Sequence, residues 1–192
     1  MLTSWLHSDD KMYSIVVILL LLCTVKIFAV DENCPTQYNG SPVENCCDLK
    51  KTPEFAFGEI TAVRKSKVYK LKNFCNKNCS TVIINGYCDT VTDGGGWLVV
   101  QRRMKKGSES FHKNWNDYEM GFGSLTSELW YGLRALHCLT SRGNWELRID
   151  FTFSNGTKSF MHYNHFRVGP ATNNYQLSIS GLLQKTLLLL IH

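Results

Sequence analysis

Tyr87-Cys88-Asp89-Thr90-Val91-Thr92-Asp93-Gly94-Gly95-Gly96-Trp97 leads straight into the strand-like run Leu98-Val99-Val100-Gln101-Arg102-Arg103. Three glycines in a row cost conformational entropy, so they stand where the backbone needs positive φ or very close packing. The stretch therefore predicts a sharp turn between an oxidisable cysteine and a strand led by a buried aromatic residue. Gly94, Gly95, Gly96 and Trp97 are its scaffold landmarks. Asp93-Gly94-Gly95-Gly96 is not a phosphate loop, since it lacks the Lys-Ser/Thr pair and precedes a strand rather than a helix.

Working outward, Val68 to Leu71 and Val82 to Ile84 read as strands upstream. Downstream, Asn114 to Gly121 reads as a short helix stopped by glycine, and Leu125 to Leu136 as a second helical stretch. Trp145 to Phe153 and Lys158 to Tyr163 alternate at period two, as half-buried antiparallel strands do. Phe166 to Val168 and Tyr175 to Ser180 continue the pattern. The sum is one α+β domain, mainly an antiparallel sheet with short helices.

The N-terminal end sets the compartment. Lys11 precedes an apolar run of roughly 13 residues from Tyr13 to Val25, and Ala29 is a small residue suited to cleavage. That run is short of the ~18–20 residues that cross hydrocarbon. Residues 1–29 read as a secretory signal peptide; the alternative is a type II signal anchor with the domain outside. Residues 30–45, with Pro35, Gly40 and Pro42, read as a linker. Residues 46–181 form the domain.

Cysteine usage agrees with export. Cys23 lies in the leader; Cys34, Cys46, Cys47, Cys75, Cys79, Cys88 and Cys138 remain. In an oxidising compartment these read as disulfides. Their number is odd, so one is free or bonds to another chain, with Cys34 in the linker the leading candidate for a disulfide-linked oligomer. Cys75 and Cys79 have a spacing that zinc accepts, but no second ligand pair matches it. Asn39, Asn78 and Asn155 begin glycosylation triplets, and Asn155 is best placed, in a Ser-Asn-Gly turn.

The formal net charge is +5, dispersed except at Arg64-Lys65-Ser66-Lys67 and Arg102-Arg103-Met104-Lys105-Lys106. These clusters read first as solvated strand ends and loops, with a polyanion contact as the alternative; nucleic acid is not an expected partner of an exported chain. Catalytic signals are thin. His162 and His165 are the only close histidine pair, and positions three apart on a strand point to opposite faces. No serine sits in a Gly-x-Ser-x-Gly elbow. Asp89, Asp93 and Asp117 read as turn and cap residues. Trp97, Trp115, Trp130 and Trp145 read as core residues rather than sugar-stacking platforms. An enzyme is not expected.

Residues 47–181 resemble the fibrinogen C-terminal domain of fibrinogen chains, ficolins, tenascins and angiopoietins. The motifs are collinear: Tyr87-Cys88-Asp89, Thr92-Asp93-Gly94-Gly95-Gly96-Trp97, Val100-Gln101-Arg102-Arg103, Phe111-His112-Lys113-Asn114-Trp115 and Tyr118-Glu119-Met120-Gly121. They continue through Glu128-Leu129-Trp130-Tyr131-Gly132-Leu133, Trp145 to Asp150, Phe166 to Gly169 and Tyr175 to Gly181. The resemblance implies a bridge from the cysteine at the domain start to Cys88. Cys47 matches by its following Asp48-Leu49, with Cys46 as the other candidate. Such a bridge closes about 40 residues, worth roughly 4 kcal/mol in the chain-entropy model. Cys75 and Cys79 are additional to the family pattern and are expected to pair locally; Cys138 is expected free or bonded to Cys34.

The family continues past Gly181 into a part with a calcium loop and the ligand pocket. Here the continuation is the apolar tail 182–192, with no carboxylate pair of calcium-loop spacing after Asp150. Calcium needs ~6–8 oxygen ligands, so no cofactor is expected. A shortened isoform or an incomplete reading frame is the expectation, with exposed sheet edges and poor solubility. Two function classes follow from the resemblance. The first is a secreted recognition or adhesion module for extracellular glycans, receptors or matrix proteins, lectin-like or receptor-binding in its full form, with no intact ligand pocket expected in this chain. The second is a structural matrix component without a small-ligand pocket.

Overall fold

In residues 144–152 the apolar positions Trp145, Leu147 and Ile149 alternate with Glu146, Arg148 and Asp150. Successive side chains of a strand point to opposite faces, so this segment presents one apolar row and one charged row. It sits near the middle of an antiparallel sheet in a computed structural model, which describes the backbone of residues 23–30 and residues 46, 66–71, 84–141 and 143–185.

The strands are β1 (Cys23–Val30), β2 (Lys67–Leu71), β3 (Ile84–Asp89), β4 (Trp97–Arg102), β5 (Phe122–Gly123), β6 (Leu129–Trp130), β7 (Asn144–Thr152), β8 (Lys158–Val168) and β9 (Leu177–Lys185). Two helices, α1 (Trp115–Met120) and α2 (Leu133–Thr140), lie between them. The sheet order is β2-β3-β4-β1-β7-β8-β9, and the β5–β6 hairpin adds to β4 through β6. The α+β expectation therefore holds.

The core lies on the apolar row's side. Leu98 and Val100 of β4, Trp145, Leu147 and Ile149 of β7, and Phe166 and Val168 of β8 pack with Leu133, Leu136 and Leu139 of α2. α2 is tied to β8 by polar contacts as well. Thr140 Oγ1 donates to Leu136 O at 2.8 Å and accepts from Val168 N at 2.9 Å, so a buried hydroxyl is satisfied on both sides. α1 begins with a capping box: Asn114 Oδ1 accepts from Asp117 N at 3.0 Å and Asp117 Oδ2 from Asn114 N at 3.4 Å.

Four sequence expectations change. The helical stretch expected over 125–136 is instead β6 followed by α2. Gly132, at φ +98, breaks it, and a Cβ there would lie 2.8 Å from Met120 O. The two strands expected at 158–163 and 166–168 are one strand, because β9 supplies partners along both stretches. β9 itself runs through Gly181 to Lys185, so the first part of the expected tail belongs to the sheet. Residues 23–29, assigned to the leader, and Val30 of the linker form β1 between β4 and β7, paired along its whole length with Asn144 to Phe151. A run of Val, Ile and Phe has no destination of its own; with two open strand edges available, its backbone groups are satisfied there.

Candidate recognition surface

The glycine stretch forms the predicted turn. Asp89 Oδ1 accepts from Val91 N at 2.9 Å and Thr92 N at 3.0 Å, and its Oδ2 accepts from Thr92 Oγ1 at 2.6 Å. This side-chain turn leads into one 3-10 turn at Thr92–Gly94, in which Asp93 has φ 49. Gly95 then takes φ +87 with a Cβ position 2.6 Å from Thr90 O, so no larger residue fits. Trp97 emerges 3 % exposed at the head of β4.

The turn is held by the charged row of β7. Arg148 Nη1 donates to Asp93 Oδ2 at 3.4 Å and its Nε to Asp150 Oδ1 at 3.0 Å, while its guanidinium stacks on Phe160 at 3.8 Å. Trp97 meets the His162 ring edge-on at 5.4 Å, and His162 Nε2 lies 2.7 Å from Glu146 Oε2. Alternation alone reads this row as solvent-facing; the structure buries Arg148. His165 faces the other way, 3.3 Å from Ser178 Oγ, so the two histidines make no common site.

Cys88 bonds to Cys46, not Cys47, across a Cα–Cα distance of 5.4 Å. Adjacent residues direct their side chains differently, so only one of a Cys-Cys pair meets a given partner, and local sequence does not say which. Cys46 is therefore neither free nor interchain, and Cys138 is likewise disulfide-bonded. Cys34, Cys47, Cys75, Cys79, Asn39 and Asn78 lie outside the described residues. Asn155 stands exposed in the β7–β8 turn, its Oδ1 accepting from Thr157 N at 2.9 Å.

The two arginines of the second basic cluster are built into the fold, while Lys105 and Lys106 are exposed. Arg102 stacks on Tyr87 at 4.4 Å and donates to Leu125 O and Ser127 O at 3.2 Å. Burial lowers its pKa, opposed by Tyr87 and Asp89. Arg103 stacks on Phe111 at 4.0 Å and lies 3.6 Å from Glu128. Glu128 is a residue the sequence reading missed. Its carboxylate is buried and accepts from Met104 N at 2.9 Å and Glu109 N at 3.0 Å, pinning the loop after β4. The only signal was a carboxylate within an apolar stretch.

The surface beside α1 remains open. A groove of about 330 Å³ is lined by Asn85, Met120, Phe122, Leu125 and Tyr131, among others. Tyr131 donates to Asn85 O at 2.9 Å, and burial raises its pKa, so it stays a donor across physiological pH. Nearby, burial also raises Tyr118, against the field of Arg103. Tyr175 is raised by burial and then by its 2.8 Å hydrogen bond to Glu119. Met120 is 55 % exposed and Trp115 43 %, so Trp115 is not the core residue expected; α1 turns it outward near Tyr175. Trp97, Trp130 and Trp145 are buried as expected. Among the described residues, no group of three or more His, Cys, Asp or Glu could hold a metal ion, and no helix is long and apolar enough to cross a membrane.

Comparison with known proteins matches this arrangement. Residues 59–186 match the C-terminal globular domain of fibrinogen beta and gamma chains. The chain belongs to this family. Human Ficolin-3 is 45% identical over 100 residues, covering 52% of this chain and 33% of its own. Bovine Angiopoietin-4 is 41% identical over 95 residues, covering 50% and 19%, and mouse Tenascin 41% over 109 residues, covering 53% and 5%. Among solved structures, the fibrinogen-like globe domain of human ANGPTL6 aligns with a TM-score of 0.58 and 31% identity, covering 65% of this chain and 53% of its own. The chain thus spans a third or less of these three relatives and about half of the globe domain.

Proposed function

We propose that this chain is a secreted, non-enzymatic recognition module of the fibrinogen-related family, contacting an extracellular glycan, receptor or matrix protein. The observation that carries this reading is the shared domain in Ficolin-3, Angiopoietin-4 and Tenascin. A lamprey fibrin D-dimer complexed with the peptide ligand Gly-His-Arg-Pro-amide is a further structural relative, with a TM-score of 0.57 and 31% identity, and supports recognition as the common theme. The exposed Trp115 and the groove beside Met120 are the surface we assign to contact, because an exposed tryptophan offers rigid apolar area and one polar handle. Binding proceeds without calcium, and the exposed Asn155 carries a glycan.

The test is biolayer interferometry of the full chain against immobilised acetylated glycans, matrix proteins and cell-surface ectodomains, with and without calcium. Specific retention that calcium does not change, and that Trp115→Ala weakens about tenfold with the fold intact, is the expected outcome. Folded protein that binds no member of the panel overturns the recognition reading; calcium-dependent retention overturns the calcium-free one.

A further inference from the structure

From Arg103 to Asn114 the chain has neither helix nor strand, and Met104 to Ser108 are exposed. Lys105 and Lys106 stand at the tip of this loop. The other described lysines and arginines lie in strands or helices, except two. Arg103 stacks on Phe111, and Lys113 pairs with Glu109 at 3.1 Å. Exposed loop tips of small and polar residues are where proteases nick folded chains. An enzyme that cleaves after a basic residue meets two of them here, followed by Gly107.

One buried carboxylate holds the neck of the same loop. Glu128 accepts from Met104 N through Oε1 at 2.9 Å and from Glu109 N through Oε2 at 3.0 Å, one on each side of the lysines. A carboxylate oxygen can accept two hydrogen bonds, so each has one site left. Arg103 Nε, 3.6 Å from Oε1, is too distant to fill it. Gly107 lies directly against this carboxylate, and a Cβ there would collide with Glu128 Cδ and both its oxygens. Its own N–H donates to Met104 O at 3.1 Å and closes the turn.

We propose that the Lys106–Gly107 bond is a processing site for a serine protease that cleaves after lysine, and that Glu128 captures the new N-terminus. Hydrolysis adds one water across the amide. The C–N bond breaks, the water oxygen stays on the Lys106 carboxylate, and the Gly107 nitrogen becomes an α-ammonium. That nitrogen is one bond from a Cα already seated on Glu128. An ammonium carries three donors, so one keeps Met104 O while the others take the vacant sites on Glu128. A charge-assisted hydrogen bond is stronger than the neutral amide bond it replaces. Any side chain at position 107 would occupy the carboxylate's place, so glycine is what permits the capture. Cutting therefore fastens the loop: Met104 stays pinned ahead of the cut and Glu109 behind it, while β4 and β6 keep the two pieces paired.

The experiment treats the full folded chain with trypsin at a low ratio, and follows the products by N-terminal sequencing, intact mass and native gel filtration. Within residues 84–141, the first new N-terminus should read Gly-Ser-Glu-Ser-Phe, with both fragments co-eluting. The double variant Lys105→Gln, Lys106→Gln should resist that cut. At neutral pH the Gly107 amine of the nicked protein should be acetylated by an N-hydroxysuccinimide ester at least tenfold more slowly than the free peptide Gly-Ser-Glu-Ser-Phe. Nicked Glu128→Gln should lose this protection; where that variant does not fold, the wild-type labelling rate decides alone. A first cut elsewhere in residues 84–141 overturns the processing site. A Gly107 amine that reacts at the rate of the free peptide overturns its capture by Glu128.

Discussion

β1 and the end of β9 are both apolar stretches that the sequence sets apart from the domain, one as a leader and one as a tail. The structure treats them oppositely. β1 has a strand on each side, whereas β9 closes the sheet order and pairs with β8 alone. Leu182 and Leu183 are 48 % and 55 % exposed although adjacent residues of a strand face opposite ways, so neither face of β9 is covered there. Similar hydropathy thus yields a keystone in one place and an open edge in the other. Hydrophobicity says that a segment seeks burial, and only the neighbours say whether burial is on offer. An exposed apolar edge is a template for pairing with other chains.

The largest effect should come from Ile27→Pro in the full chain, which removes a ladder donor from a strand paired on both sides. A loss of about 3 kcal/mol or more is expected from such a change, read as a lowered urea midpoint. An unchanged midpoint would reduce β1 to the standing of β9. Cys88→Ala follows. With the bonded cysteines 42 positions apart in sequence, its loss should cost about 2–5 kcal/mol, whereas Cys47→Ala should leave the Cys46–Cys88 bond intact in a peptide map.

Gly95→Ala should cost about 1–3 kcal/mol, since it combines a left-handed backbone with a clash against backbone rather than a movable side chain. Thermal melts would measure it. Alkali should also weaken the fold. Tyr131 and Tyr175 have raised pKa values in the folded state, so their contribution is complete below the unfolded value of about 10. It falls as pH rises above that, because the unfolded chain releases those protons first. Urea midpoints between pH 8 and 11 should decline more steeply for the wild type than for Tyr131→Phe. The smallest effect belongs to Leu182→Lys. At an exposed edge it should change stability by less than about 0.5 kcal/mol while raising the concentration at which light scattering reports association. A large loss of stability would show that β9 has cover after all.

The sequence was most legible where one residue carries one steric demand. The glycine run had to turn and did, at positive φ throughout. Asn114 and Asp117 announced the start of α1, and period two announced β7 and β8. It was least legible where the outcome depends on a partner distant in the chain. Trp115 and Trp130 are both tryptophans in short amphipathic surroundings, yet α1 exposes the first, while the second, at the end of β6, is covered and donates its indole N–H to Tyr118 O at 2.7 Å. Nothing local distinguishes Cys46 from Cys47 as the partner of Cys88. The groove beside α1 arises from residues as far apart as Asn85 and Ala135, so no single motif could announce it.

By itself, then, the sequence determined the α+β character, the glycine turn, the helix cap and the family, because each rests on local backbone sterics or on an ordered set of motifs. The tertiary structure decided that Arg148 is buried between Asp93 and Asp150, that Cys46 holds Cys88, and that residues 23–30 close the sheet. Each of those depends on which edge or side chain is left unsatisfied once the rest of the chain has folded.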